Sequence, residues 1–340
     1  MNPTLKALLD GGADFDAEFE GGLSNHLPMT LLALQRLGAG DVRLSAFAAR
    51  YATRLTPAPT LASWPAGDSW RERFGQVQAW PAYRDLFRQW LGYEEATTVL
   101  AQVLPPLMTG CGGAAFHGLI RAAYAVQSGH SREIADALAY WASRHLHLGT
   151  LPADAGGDLD LATTLAKIPR VKSSAPLIFE RMQAVAEHPE FLRAASQLTI
   201  DEHTLPAMAQ HAAQLFASSG NFVALHLLTS AHALRTLLPF IEEVNAAVRS
   251  YWCAYAAAVS AGAAVLGEAP VLLPWPAIVQ AALASDDEHV IKLVDSCREE
   301  EHFYGGTVWQ LAASRAITVP ALPDTPTTPR KRPPGKVARA

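Results

Sequence analysis

The chain has 340 residues, of which 50% are hydrophobic and only 17% charged, so it carries ample apolar side chain for one sizeable core. A formal net charge of -5 gives no sign of a nucleic-acid or acidic-membrane binder. The three cysteines, Cys111, Cys253 and Cys297, form no CxxC pair and cannot all be bridged to one another, which fits a reducing cytosol.

At the start of the chain, MNPTLKALLDGGADFDAEFE lacks the basic region and apolar core of a signal peptide, so a cytoplasmic protein is expected. Apolar spacing of three and four then predicts helices over 28–37, 44–54, 82–90, 93–104, 114–127 and 132–146. A second block is predicted over 175–187, 188–195, 205–218, 221–237, 241–266, 276–284 and 288–315. Residues 64–80 mix Trp, Gly and charges and read as an ordered loop, a candidate lid; residues 148–174 read as a connection between the two blocks. The apolar stretch 248–273 is interrupted by Arg249, Glu268 and Pro270 and reads as a buried helix, not a membrane span. Alternating Val/Ile/Thr runs with tight turns are nearly absent. The expectation is an all-α fold: one large multi-helix domain over 1–320 around a central polar pocket, then a disordered Pro/Thr/basic tail at 321–340.

Four histidines are embedded in these apolar segments: His26, His117, His226 and His289. A buried imidazole needs a hydrogen-bond partner, a proton-transfer role or a metal. One such residue is ordinarily a satisfied core histidine; four, on separate helices, point to a shared interior site. Gly110-Cys111-Gly112-Gly113-Ala114-Ala115 fits G-x-G-x-x-A, but Pro105-Pro106 interrupt any strand before it and no βαβ unit follows. Its glycines instead predict a tight turn into the His117 helix, with backbone brought close to a ligand or a neighbouring helix.

On that helix His117, Arg121 and Tyr124 fall at i, i+4 and i+7, on one face. They read either as a polar pocket wall or as an Arg121–carboxylate pair beside a core tyrosine. Arg235 is a second basic group in apolar company, on the helix of His226 and His232. Asp286, His289 and Lys292 recur every three residues along one helix flank. An ammonium has no lone pair for a metal, so Lys292 could be a ligand only when deprotonated or carboxylated. Glu299 and His302 repeat the acid-x-x-His spacing thirteen residues further along the same helix, which excludes the two-helix geometry of a ferritin-like di-iron site. His145 and His147 read as surface residues near a helix C-terminus, where the dipole favours a cation.

The segments SNHLPMTLLALQRLGA (24–39), GGAAFHGLIRAAYAV (112–126), NFVALHLLTSAHALRTLLPF (221–240) and DDEHVIKLVDSC (286–297) resemble, in this order, the characteristic blocks of the questin oxidase-like family. The resemblance runs from about Leu23 to Ala316. It implies an all-helical oxidoreductase that inserts oxygen into, or opens, anthraquinone-type rings, with NADPH as reductant and a histidine-bound metal as a further implied cofactor. By position, His26, His117, His226 and His289 match the family's recurrent histidines, and Lys292 the lysine after the last of them. Arg121 stands where fungal members tend to have a second histidine.

The expected site therefore has His26, His117, His226 and His289 as ligands to non-haem Fe²⁺ or another divalent metal, with Lys292 as auxiliary ligand or base. Arg121, Arg235 and Tyr124 would orient a ketone or quinone substrate, and Arg121 and Arg235 would hold NADPH. Trp64, Trp70, Trp80 and Phe87 would cover a flat small-molecule ring. No pattern sets the oligomeric state. Two other classes stay open: a non-catalytic helical scaffold with core histidines, and a metal-free NADPH-dependent Baeyer–Villiger enzyme. Convergence of the four imidazoles is the discriminating observation.

Overall fold

The computed structural model describes residues 1–65, 67–152, 157–262, 267–268 and 270–318; the tail expected at 321–340 lies outside them. Among the described residues the protein is all-α, with sixteen α-helices, short 3-10 turns and one two-stranded hairpin. The first half runs α1 (Pro3–Gly12), the hairpin β1–β2 (Glu18–Phe19 and Leu23–Ser24), α2 (Leu27–Leu37), α3 (Asp41–Ala52), α4 (Trp80–Tyr93), α5 (Ala96–Met108), α6 (His117–Ser128) and α7 (Ser131–Ser143). The second half runs α8 (Leu161–Lys167), α9 (Ile178–Ala186), α10 (Phe191–Ala195), α11 (Thr204–Ser219) and α12 (Phe222–Leu237). It closes with α13 (Val244–Ala261), α14 (Trp275–Ala284), α15 (Glu288–Tyr304) and α16 (Val308–Thr318). Among the described residues no helix is long and apolar enough to cross a membrane.

Where the helices depart from expectation, the cause is local. The short α1 is started by Asn2, whose side chain accepts from the Thr4 and Leu5 amides, and α8 by Asp160, which accepts from Thr163. Only Thr164 of α8 is buried, so no apolar stripe announces it within 148–174. Pro105 and Pro106 sit inside α5, not after it; the carbonyls they leave unbonded belong to Ala101 and Gln102, which are exposed to water. The long helix expected over 288–315 is two, because Gly305 and Gly306 turn to φ of 70° and 82°. The helix expected from Ala114 begins only at His117, because Ala114, Ala115 and Phe116 adopt φ of 47°, 53° and 69°.

Four helices make a closed cycle: α2 packs on α6, α6 on α12, α12 on α15, and α15 back on α2. Around it, α7 joins α6 to α4, α11 and α16 cover α12 and α15, and α9 lies on α13. The close approach expected of the glycines is real. A Cβ on Gly113 would fall 1.7 Å from the Arg144 carbonyl oxygen, and one on Gly118 would fall 2.7 Å from the Trp141 Cα.

The 64–80 segment is not a lid over the histidine site. Trp70 packs on Phe74, Phe87 and Trp90, with centroids at 5.2–6.5 Å, and Trp64 on Tyr83 at 4.8 Å, which pins the loop to α4. His145 is likewise no surface cation: its ring stacks on Phe74 at 4.3 Å, and burial pushes its pKa down to about 4.

Asp136 on α7, 1% exposed, accepts two hydrogen bonds each from Arg84 and Arg88 of α4, at 2.8–3.1 Å. Burial opposes its charge, but the two guanidiniums outweigh that and hold the carboxyl below its ordinary range. Because the folded pKa is the lower one, this stabilisation is complete above the unfolded value of about 3.9 and is lost as pH falls through the folded value. Asp136→Ala strands Arg84, which is 2% exposed, and should lower unfolding free energy in urea by about 3–5 kcal/mol at neutral pH. The gap between wild type and variant should shrink below about pH 4; a variant as stable as wild type at pH 7 would refute the assignment. At the kinked turn, Ala115→Val should destabilise by about 2 kcal/mol or more, since a β-branched residue resists positive φ. Ala115→Gly should stay within about 1 kcal/mol of wild type, because strain relief offsets its extra unfolded freedom. Equal thermal midpoints for the two variants would show that the turn is not strained.

Candidate functional site

All four helices of the central cycle start at one place, and each start is built by its own local sequence. Asn25 accepts from the Leu27 amide at 3.0 Å, and His26 occupies the cap of α2 with Pro28 just inside. The His26 amide donates to the Tyr51 hydroxyl at 3.2 Å. Asn221 caps α12 by accepting from Val223 and Ala224 at 2.9 and 3.2 Å, which puts His226 one turn in. Asp287 caps α15 by accepting from His289 and Val290 at 2.8 and 3.4 Å, which makes His289 its second residue. The left-handed turn at Ala114–Phe116 starts α6 on His117 itself. Helix N-termini carry unpaired amides and partial positive charge, so the site is electropositive before any side chain is counted.

The four imidazoles converge. Ring centroids are 4.7 Å apart for His26–His117 and His26–His289, 4.9 Å for His117–His226 and 5.9 Å for His226–His289. His26, His117 and His289 each offer a ring nitrogen within 4.8 Å of the others, a group that could hold a metal ion. His226 stands beside this trio. Asp287, Glu288 and His289 form a second such group, sharing His289.

The tautomers follow from the hydrogen bonds. Nδ1 of His117 faces the Ala114 carbonyl oxygen at 2.5 Å, and Nδ1 of His226 faces that of Phe222 at 2.8 Å. A carbonyl can only accept, so both rings carry their proton on Nδ1 and keep the Nε2 lone pair. Nε2 of His26 lies 2.8 Å from Nε2 of His117 and so donates to it, while Nδ1 of His26 accepts from Lys292 Nζ at 3.2 Å. Burial, reinforced by Lys292 and the neighbouring rings, holds His26 and His117 well below the ordinary imidazole range. Burial, with His289 beside it, takes His226 down to about 3. These rings are neutral, the form that binds metals.

The cluster opens into a cavity of about 780 Å³. Phe19, Leu177, Phe216, Phe222 and Leu225 supply apolar wall, and Phe222 meets His226 and His289 at 4.5 and 4.9 Å. Arg50, Arg54, Arg181, Asp286, Asp287 and Glu288 bring charge to the same cavity.

Three of the expected site residues lie elsewhere. Arg121 is 4% exposed and makes a two-pronged pair with Glu133 of α7 at 2.7 and 2.9 Å, the carboxylate alternative read from its apolar helix. Tyr124 donates to Asp295 at 2.9 Å. Arg235 shares Glu300 with His232, each at 2.7 Å. None of the three lines this cavity, nor do Trp64, Trp70, Trp80 and Phe87. Lys292 reaches the cluster through Nδ1 of His26, on the ring edge away from the His26–His117 contact. Sequence reasoning missed Arg50, Arg54 and Arg181 as cavity residues. For Arg50 and Arg54 the i, i+4 spacing within the helix expected over 44–54 was a usable signal; Arg181 had none.

No protein among the curated sequences matches the chain. A family model described as questin oxidase-like matches residues 23–297, which is most of the chain and includes all four histidines, so the protein belongs to the questin oxidase-like family, a family of oxidoreductases.

Proposed function

We propose that the protein is an oxygenase that inserts oxygen beside the carbonyl of a quinone-type or polyketide-like aromatic ketone, with His26, His117 and His289 holding a non-haem metal such as Fe²⁺. The observation that carries this reading is the convergence of ring nitrogens of three histidines within 4.8 Å at the wall of a cavity that also offers apolar and aromatic side chains. The donor set fits a metal on its own chemistry. The Nδ1 protons of His117 and His226 are fixed by backbone carbonyls, the outer-sphere arrangement metal-binding histidines use, which keeps the lone pair of each ring on Nε2; that of His117 now accepts from His26. When bound, such a metal supplies oxygen activation at positions the protein leaves open.

The chain's own residues do the rest. Phe19, Phe216, Phe222 and Leu225 bind a flat ring and keep water from it. The converging N-termini of α2, α6, α12 and α15 favour negative charge developing on a carbonyl or phenolic oxygen. Lys292 holds a proton against Nδ1 of His26. For His26 to offer Nε2 to a metal, the proton it now points at His117 must leave, and Lys292 can replace it at Nδ1, so a cationic guest is met by loss of one proton from the cluster. Lys292 is in this reading a positioning residue, not a ligand. NADPH, as external reductant, supplies the two electrons that convert the second oxygen atom to water.

One observation favours a metal-free alternative: the Lys292–His26–His117–Ala114 chain is already a continuous hydrogen-bonded relay. Metal analysis separates the two. Tag-free protein should retain about one Fe²⁺ or Zn²⁺ per chain, and His117→Ala or His289→Ala should lose it, whereas His232→Ala should not. Lys292→Met should bind metal about 10–100-fold more weakly in a calorimetric titration. It should also release fewer protons, read from the dependence on buffer ionisation enthalpy. Metal content indifferent to His117→Ala would overturn the metal assignment. NADPH-dependent oxygen consumption with a quinone ketone should fall at least about tenfold on chelation and recover with Fe²⁺; turnover that ignores the chelator would support the relay.

A further inference from the structure

Three arginines line the cavity, and two of them are already matched by carboxylates. Arg50 pairs with Asp286. Arg54 lies 3.5 Å from Glu288 and over the Phe19 and Tyr51 rings at 5.1 Å. Arg181, on α9, makes no ion pair among the described residues, and its Nε is shut off from water with no acceptor. A buried donor left without an acceptor is costly, more so on a charged group. Of the other carboxylates on the wall, Glu20 is exposed and Asp287 lies against His289, and neither makes an ion pair with it. The residues that precede Arg181 along this wall, Leu177, Ile178 and Phe179, are apolar. Among the described residues the cavity thus presents one guanidinium that has no ion pair, beside apolar side chains.

We propose that Arg181 is the specificity-determining residue of the cavity and binds an oxyanion on its organic ligand. On the oxygenase reading above, this makes the substrate an aromatic acid or phenolate, not a neutral ketone. The terminal nitrogens of a guanidinium can give a carboxylate two parallel hydrogen bonds. A phosphate of NADPH offers the same chemistry, and the two sources are separable.

The test uses the full-length, metal-loaded protein and two matched probes, 9,10-anthraquinone-2-carboxylate and its 2-carboxamide, titrated by fluorescence quenching. Wild type should prefer the acid by about tenfold or more. Arg181→Gln should erase that preference while leaving carboxamide affinity unchanged, and Arg181→Lys should keep part of it; unchanged carboxamide binding also shows that the variants are folded. Equal affinities in wild type, or a preference that survives Arg181→Gln, would overturn the proposal. If the variant instead weakens NADPH but not NADH, Arg181 serves the nucleotide's extra phosphate, and the oxyanion assignment stands with that source. If neither anthraquinone binds, the polycyclic-substrate reading fails, and benzoate against benzamide still decides the role of Arg181.

Discussion

The protein depends on one costly arrangement: four imidazoles gathered in the interior where four helices begin. Unpaired imidazoles cannot be buried cheaply, and imidazolium ions cannot be buried beside one another and an ammonium at all. The fold resolves this for His26, His117 and His226 by keeping the rings neutral and spending their protons locally. Two Nδ1–H groups go to backbone carbonyls one turn back, and the third ring is held between Lys292 and His117. What results is a cluster of ring nitrogens in a field of positive helix ends. Such a place is suited to a metal, to an oxyanion, or to both.

Holding that arrangement requires concessions elsewhere in the chain. Ala114, Ala115 and Phe116 accept left-handed backbone so that the Ala114 carbonyl can meet His117 Nδ1 at 2.5 Å. Gly113 and Gly118 give up side chains so that this turn and α6 can press against Arg144 and Trp141. Other buried charges are matched between helices: Arg121 with Glu133, Asp136 with Arg84 and Arg88, and Glu300 with His232 and Arg235. These pairs tie α6 to α7, α4 to α7 and α12 to α15, so the walls of the central cycle are braced from behind. The cavity is then free to hold charge that is not structural, and Arg181 is the clearest case.

Much of this was readable from the chain. The four histidines stood in Ala- and Leu-rich surroundings whose helical spacing predicted burial, and the caps Asn221 and Asp287 stand at fixed offsets before two of them. The G-x-G-x-x-A run was correctly read as a close-packing turn, because prolines preceded it and no strand–helix–strand unit followed. The stripe of His117, Arg121 and Tyr124 was half legible. Their common face followed from spacing, but three residues on one face need not meet one cavity: α6 turns His117 to the site, Arg121 to Glu133 and Tyr124 to Asp295.

Sequence by itself determined the all-α class, the burial of the histidines and most helix positions, since periodicity and capping act over a few residues and are written locally. Tertiary structure alone decided which rings meet, which tautomer each adopts, and which arginines find a carboxylate. Those outcomes depend on partners distant in the chain, such as His26 with Lys292 and Arg54 with Glu288. A charge in an apolar segment reads the same whether it is neutralised across a helix interface or left facing a cavity, and only packing distinguishes Arg121 from Arg181.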